Sequence, residues 1–324
     1  MPTVTSVHPP RAVEGGRVTI QGSGFALDDL STIPIGGTAA RVSFASSTRI
    51  VVVIPEGLEG GRTPLTVPGA PPQTAYVETG ARWATGLHQV DSPVFDRAGN
   101  LYVTYSGPRG EEAPVSIFRV TPGGTREAFA SGIVNTTSLA FGPDGHLYVS
   151  SRFEGAIYRV REDGASEQVA TDLGVACGIA FDADGWMYVG DRSGTIFRVR
   201  DGRATAFASL PASVAAFHLA MSAGQDLFVT GPTLNAYDPV YRIDRLGQCR
   251  TLPHVMGRPQ GLAVGPDGVL YVVDALAGGS GVYRFADLDG RPELVVSGPS
   301  LVGIAFGPDG ALVVTSNETA YRFG

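Results

Sequence analysis

The sequence contains no lysine, only four methionines and two cysteines, and it shows no long helical hydrophobic pattern. Glycine and proline, with 44 and 23 residues, together exceed a fifth of the 324 residues. Chains of this composition are typical of many short strands joined by tight turns. The sequence therefore predicts an all-β protein. Its length suits one large domain, or one domain of ordinary size with a smaller one.

Long apolar runs are missing as well. No stretch approaches the roughly 18 to 20 apolar residues that span a bilayer, and residues 1–25 lack the charged and apolar regions of a signal peptide. We expect a soluble chain with no membrane span, and the compartment stays open because a mature secreted or periplasmic form would look the same. The formal net charge of −7 and the lack of a basic run argue against nucleic acid as a partner.

The common catalytic signatures are also missing. The sequence has no Gly-x-Ser-x-Gly elbow, His-Glu-x-x-His helix, P-loop or dinucleotide fingerprint. The segment DADG at residues 182–185 resembles the start of a calcium loop, but matching segments read GPDG, so we predict a hairpin turn. We expect no disulfide between Cys177 and Cys249, because they fall on an inner and an outer strand of different repeats.

A strand motif with an aromatic residue followed by arginine occurs six times, as SIFRV, AIYRV, TIFRV, PVYRI, GVYRF and TAYRF. Each copy follows two alternating apolar strands joined by a turn, as in LAFGPDGHLYVS. The turns align at intervals of 40 to 46 residues, on Gly99, Gly145, Gly185, Gln225, Gly268 and Gly310. Repeats of this length with three or four strands are typical of β-propeller blades. Within the motif, we expect the aromatic residue to pack between blades and the arginine to pair with an acidic neighbour on the opposite face.

The sixth copy ends at Gly324 without the outer strand that earlier copies carry in EAFASGI and EQVATDL. A matching segment, RWATGL at residues 82–87, lies before the first repeat. We expect it to pair beside the strand of Tyr321 and to close the ring, because closure removes exposed strand edges. The prediction is a six-bladed propeller over residues 77–324.

The first 76 residues have a different pattern, with short alternating strands separated by glycine and proline, as expected for a small β-sandwich. Through SVHPPRAVEGGRVTIQGSGF, IGGTAARV and VVVIPEGLEGG, this part resembles the IPT/TIG family of immunoglobulin-like domains. The resemblance implies a spacer or docking module. It gives no indication of DNA binding, because the basic residues are scattered over Arg11, Arg17, Arg41, Arg49 and Arg62.

The place to look for chemistry is the mouth of the propeller channel, where the inner strands converge. Counting eight residues back from each aligned turn gives Asp91, Thr137, Cys177, Phe217, Gln260 and Val302, and the next position gives Ser92, Ser138, Gly178, His218, Gly261 and Gly303. We therefore expect one channel mouth to be lined by Asp91, Thr137, Cys177, His218 and Gln260. Such a ring could hold a metal, orient a small polar ligand, or simply fill a narrowing channel.

At these residues the chain resembles the gluconolactonase/regucalcin and NHL-repeat group of six-bladed propellers. The segment DSPVFDRAGNLYV is similar to the first-blade lactonase motif, in which the glutamate of Glu-Gly-Pro binds a divalent metal. The resemblance puts Asp91 in that place. Two asparagines and an aspartate complete the site in that family, whereas this sequence has Thr137, Cys177 and either Phe217 or Gln260.

Two functions stay open. The first is a non-enzymatic propeller that binds a small polar ligand or a protein, with the sandwich as a docking or spacer domain. The second is a metal-dependent lactone hydrolase with a degraded or rebuilt metal site, in which the cation would polarise the carbonyl and activate water. The replaced ligands favour the first function. No cofactor is firmly implied, although a divalent cation at Asp91, calcium rather than zinc, belongs to the alternative.

Overall fold

The computed structural model describes residues 1–27, 30–71, 75–87, 92–276 and 278–324. Strands, turns and loops make up this part of the chain, and none of it is helical. The all-β prediction is confirmed. Burial alternates along the strands: in residues 49–53, Ile50 and Val52 are buried, whereas Arg49 is exposed. This alternation matches the alternation of apolar and polar side chains in the sequence.

The first eight strands build the N-terminal domain. They are β1 (Thr3–His8), β2 (Arg11–Ala12), β3 (Arg17–Ser23), β4 (Thr32–Ile35), β5 (Thr38–Ala45), β6 (Arg49–Val53), β7 (Gly61–Leu65) and β8 (Ala75–Thr79). Their hydrogen-bonded order is β1-β3-β6-β5-β4-β7-β8-β2. Because β5 pairs with both β6 and β4, the ladder folds back on itself and encloses a core that includes Ile20, Ile33, Ile50 and Val77.

The rest of the chain forms a β-propeller, in which five blades are separate four-stranded sheets. Four of them are consecutive meanders: β10 (Val94–Phe95), β11 (Leu101–Thr104), β12 (Ile117–Val120) and β13 (Arg126–Ala130); β14 (Thr136–Phe141), β15 (Leu147–Ser151), β16 (Ala156–Val160) and β17 (Ser166–Ala170); β18 (Ala176–Phe181), β19 (Met187–Asp191), β20 (Thr195–Arg200) and β21 (Arg203–Ser209); β22 (His218–Met221), β23 (Leu227–Thr230), β24 (Asp238–Ile243) and β25 (Cys249–Met256).

The fifth separate blade closes the ring. It combines β9 (Ala81–Thr85) with the last three strands, β30 (Leu301–Phe306), β31 (Leu312–Ser316) and β32 (Thr319–Phe323). Strand β9 runs antiparallel to β32, with Arg82 opposite Tyr321 and Ala84 opposite Ala320. The predicted pairing of residues 82–87 beside Tyr321 is therefore confirmed.

The prediction of a six-bladed propeller is corrected, because five blades are found as separate four-stranded sheets. The remaining repeat forms β26 (Pro259–Val264), β27 (Leu270–Asp274), β28 (Gly281–Phe285) and β29 (Glu293–Ser297), and β26 packs between β22 and β30. These strands are not a separate sheet, because β2 runs parallel between β29 and β8 and bonds to both. The meander and the N-terminal domain thus form one twelve-stranded sheet.

The aromatic-arginine motif lies on the third strand of each repeat. Tyr241 and Tyr321 are buried in clusters shared by neighbouring sheets. The arginine forms an ion pair in every repeat but the third, in the pairs Arg119–Glu127, Arg159–Glu167, Arg242–Asp226, Arg284–Asp267 and Arg322–Asp309. In the third repeat, the guanidinium of Arg198 instead lies 4.3 Å above the ring of Trp186. The expected pairing with an acidic neighbour is therefore found in five of the six repeats.

Candidate functional site at the channel mouth

One end of the propeller channel opens into a cavity of about 780 Å³ that both domains line. Cys177, His218 and Gln260 lie in its wall, so three of the five residues expected at the mouth are together. Gly15, Gly16 and Arg17 of the N-terminal domain form part of the same wall. This end of the channel is therefore a recess between the domains, a common place for a ligand site.

The other two expected residues have different outcomes. Thr137 is buried at the start of β14, where its hydroxyl donates to the carbonyl of Asn135, and it is not part of the cavity wall. Asp91 lies outside the described residues, so its predicted role stays a prediction. Phe217, the other candidate at the position of Gln260, is fully buried because its ring packs over Gly190 and Gly231, where a Cβ atom would collide with it.

Irregular backbone places the mouth residues. In β14, β18 and β26 the register shifts at the start of the strand, across Thr136/Leu139, Ala176/Ile179 and Pro259/Leu262. A bulge of this kind locally redirects side chains. Hydroxyl groups on the second strand of one repeat then hold the bulged carbonyls of the next, in the bonds Thr104 to Thr137, Ser150 to Cys177 and Thr230 to Gln260.

His218 begins β22 and is enclosed by protein. Its side chain is 2% exposed, and its Nδ1 lies 3.5 Å from the hydroxyl of Ser92. Burial lowers the pKa of His218 to about 4, because the charged imidazolium would lose its hydration, so the ring is neutral at pH 7. Its Nε2 is buried and has no hydrogen-bond partner among the described residues.

The charged side chains among the described residues of the cavity wall are those of arginines. Arg17, Arg152, Arg192 and Arg258 line the cavity, and none of the described lining residues carries a carboxylate. Sequence reasoning missed these arginines because Arg152, Arg192 and Arg258 lie in loops outside the aligned inner strands, and Arg17 begins a strand of the N-terminal domain. A signal was nevertheless present, since Arg152 and Arg192 directly follow second strands and Arg258 directly precedes an inner strand.

Buried aspartates hold two of these loops. Asp191 accepts hydrogen bonds from the backbone of Val175 and Ser193, and Asp274 accepts from the backbone of Gly257, Arg258 and Leu276. Both carboxylates are at least nine-tenths buried. Because their oxygens are bound to backbone amides and to the hydroxyl of Ser193, these aspartates shape the mouth, and neither forms an ion pair with a cavity arginine among the described residues.

A metal centre has no support in the described part of the site. Cys177 and His218 supply one thiol and one imidazole, and no group of three metal-binding side chains occurs among the described residues. The thiol of Cys177 donates to the carbonyl of Val175 at 3.3 Å, which is the role of a protonated sulfur rather than a metal-bound thiolate. A cation centred on Asp91 thus remains an untested expectation.

Comparisons with known proteins agree with this architecture. Residues 2–79 match the IPT/TIG domain family, and residues 178–199 match the N-terminal region of strictosidine synthase-like proteins. No curated protein matches the sequence significantly. Neither family match concerns NHL repeats, so that part of the resemblance has no further support. No helix in the described ranges has the length and apolar character to span a membrane.

Solved structures share the fold at low sequence identity. An auxiliary nutrient binding protein from Bacteroides thetaiotaomicron is 13% identical with a TM-score of 0.60, over 100% of this chain and 97% of that chain. A gluconolactonase from Xanthomonas campestris is 18% identical with a TM-score of 0.61, over 75% and 87%. Virginiamycin B lyase from Staphylococcus aureus is 15% identical with a TM-score of 0.52, over 74% and 95%.

These findings define the class of the molecule. It is an all-β protein in which an IPT/TIG domain precedes a β-propeller, and residues of both domains line a recess where the two meet. At identities this low, the solved structures establish the fold and not the activity.

Proposed function

We propose that the protein is a binding protein that holds a small polar ligand in the mouth cavity and does not convert it chemically. The observation that carries the proposal is the buried Nε2 of His218, which has no hydrogen-bond partner among the described residues although its ring lines the cavity. A buried polar atom without a partner costs roughly 1 to 3 kcal/mol. A ligand atom that hydrogen-bonds to Nε2 would remove that cost.

The form of the cavity supports ligand binding. Its volume of about 780 Å³ lies in the range of small-molecule sites, and it combines apolar Val214 and Ala216 with polar Gln260 and Ser280. The N-terminal domain contributes to the wall through Arg17, so this domain takes part in the site as well as in docking. The nutrient binding protein from Bacteroides thetaiotaomicron, which matches along the whole chain, is consistent with the same kind of role.

The chemistry of the wall favours binding over catalysis. General base catalysis at neutral pH works best with a pKa near 7, whereas the pKa of His218 is lowered to about 4. A nucleophilic cysteine needs thiolate character, but the thiol of Cys177 donates a hydrogen bond to the carbonyl oxygen of Val175. Neither residue is activated as a catalyst would require.

Ligand screening by thermal shift, followed by calorimetry, tests the proposal. The probes are neutral sugars, amino acids and small organic acids, with wild type, His218→Leu, Gln260→Leu and the control His146→Gln, which changes a turn outside the cavity. We expect at least one compound to raise the melting temperature of wild type and control, and to bind each cavity variant at least about tenfold more weakly. Circular dichroism checks that each variant folds.

Two results would overturn the proposal. One is that no compound binds, or that binding is equal in the cavity variants and the wild type. The other is hydrolysis of gluconolactone in the presence of calcium that disappears in Asp91→Asn, together with a calcium-induced rise in melting temperature that EDTA reverses. That second result would establish the lactone hydrolase instead.

A further inference from the structure

The four cavity arginines are not paired with any described carboxylate, a property that they share with exposed arginines such as Arg203 and Arg250. Since the sequence contains no lysine, each of its 24 basic residues is an arginine. Several arginines of the propeller strands are held by carboxylates, as in Arg119–Glu127 and Arg322–Asp309. By contrast, none of the ion pairs between described residues includes Arg17, Arg152, Arg192 or Arg258.

The four arginines of the cavity wall come from separate elements. Arg17 begins β3 of the N-terminal domain, Arg152 and Arg192 follow β15 and β19 in neighbouring blades, and Arg258 precedes β26. The buried carboxylate of Asp191 accepts from backbone amides and the Ser193 hydroxyl, and that of Asp274 accepts from backbone amides. The recess is therefore a basic concavity in a protein whose net charge is −7.

A concave site with one sign of charge concentrates the opposite ion and raises its association rate. Guanidinium groups also bind carboxylate and phosphate through two parallel hydrogen bonds, a geometry that suits anionic oxygens better than neutral hydroxyls. The cavity, at about 780 Å³, is larger than a bare inorganic anion needs. The uncharged part of a ligand would then lie against His218 and Gln260 deeper in the recess.

We infer that the ligand of the mouth cavity is a small organic anion, bound through carboxylate or phosphate oxygens by Arg17, Arg152, Arg192 and Arg258. This inference rests on the proposed function, since it specifies the ligand class of the same cavity. Because Arg17 belongs to the N-terminal domain, the bound anion bridges the two domains. His218, whose buried Nε2 has no hydrogen-bond partner among the described residues, belongs to the same cavity wall.

Calorimetry at low ionic strength tests the inference with citrate, inorganic phosphate, glucose 6-phosphate and glucose. The test variant is Arg192→Glu/Arg258→Glu. Its control is Arg203→Glu/Arg250→Glu, which makes the same change in net charge at exposed positions on β21 and β25, outside the cavity. We expect an anion to bind wild type and control alike, and to bind the test variant at least about tenfold more weakly. Arg192→Lys should lose less anion affinity than the test variant, because lysine keeps the positive charge but cannot form the two parallel hydrogen bonds of a guanidinium group.

The outcomes separate the inference from the proposed function. Comparison of citrate with the phosphates shows which anionic group is preferred. If neutral compounds bind at His218 and Gln260 while every anion fails, the anion inference is wrong and the binding function stands. Equal anion binding by test variant and control would show a nonspecific surface effect and would also overturn the inference. If nothing binds in the cavity, both are wrong.

Discussion

The enclosed imidazole of His218 makes the stability of the fold depend on pH. The native ring stays neutral until the pH falls to about 4, whereas the unfolded ring takes up its proton near pH 6.5. Between these values the unfolded chain binds more protons, so the free energy of unfolding falls as the pH falls. We expect His218 alone to contribute a decrease of roughly 3 kcal/mol between pH 7 and pH 4.

Denaturant unfolding over this pH range measures the effect. His218→Gln should show a shallower decrease in the free energy of unfolding, while the control His146→Gln should keep the slope of wild type. If His218→Gln fails to fold, NMR titration of the wild-type ring gives the pKa directly. A native pKa near 6.5 would contradict the enclosed site.

At the scale of elements, strand β9 determines whether the propeller is closed. Ala84 is 6% exposed in this strand and lies opposite the fully buried Ala320, in a cluster that includes Leu101 and Val313. We expect Ala84→Asp to destabilise the protein by roughly 3 kcal/mol, because it buries a charge without a partner at the point of closure. Thermal unfolding of purified variants measures the change.

Thr85 provides the matched control, since it is exposed in the same strand and pairs with Thr319. Thr85→Asp should change stability by no more than about 0.5 kcal/mol. Equal effects of the two substitutions would mean that the closing strand is not packed as described.

At the scale of the whole molecule, the two domains are joined by backbone as well as by side chains. Strand β2 bonds to β29, and the N–H of Val13 donates to the carbonyl of Ser297 at 2.9 Å. Val13 is buried among propeller residues that include Leu301 and Phe323. Gly16 allows the close approach, because a Cβ atom there would lie 2.4 Å from the carbonyl oxygen of Ser297.

This connection predicts cooperative unfolding of both domains. We expect a single calorimetric transition for wild type, and two separate transitions for Val13→Asp, because the buried carboxylate breaks the apolar contact between the domains. Thr5→Asp, on exposed β1, is the control and should keep the single transition. Two transitions in wild type would show that the domains unfold independently.

A polar network connects the same interface to the closing strand. Glu14 accepts a hydrogen bond from the hydroxyl of Tyr321 at 2.6 Å and forms an ion pair with Arg82. Burial, together with the bond to Glu14, raises the pKa of Tyr321 well above its ordinary value. The N-terminal domain thus contacts both strands that complete the ring.

The local sequence pattern alone determines the strands of this protein and the strand that closes the propeller. Alternating apolar residues and glycine turns at regular intervals specified the strands, and the missing outer strand after Tyr321 identified residues 82–87 as its replacement. Equivalent positions in successive repeats face one axis, which is why the pattern predicts Cys177 and Gln260 at one channel mouth, with His218 one position further along its strand. Each of these inferences follows from spacing along the chain and needs no knowledge of distant contacts.

Only the tertiary structure decided how the domains meet and what the mouth contains. The pairing of Arg11 and Ala12 with β29 joins residues far apart in sequence, and no local pattern specifies it. Because of this pairing, the propeller has five blades that are separate sheets, and the remaining repeat shares a sheet with the N-terminal domain. The sequence did not reveal Arg152, Arg192 and Arg258 as cavity residues because they lie in loops, which have no periodicity from which to infer a common direction. Their convergence on one recess depends on the positions of the blades and the N-terminal domain together.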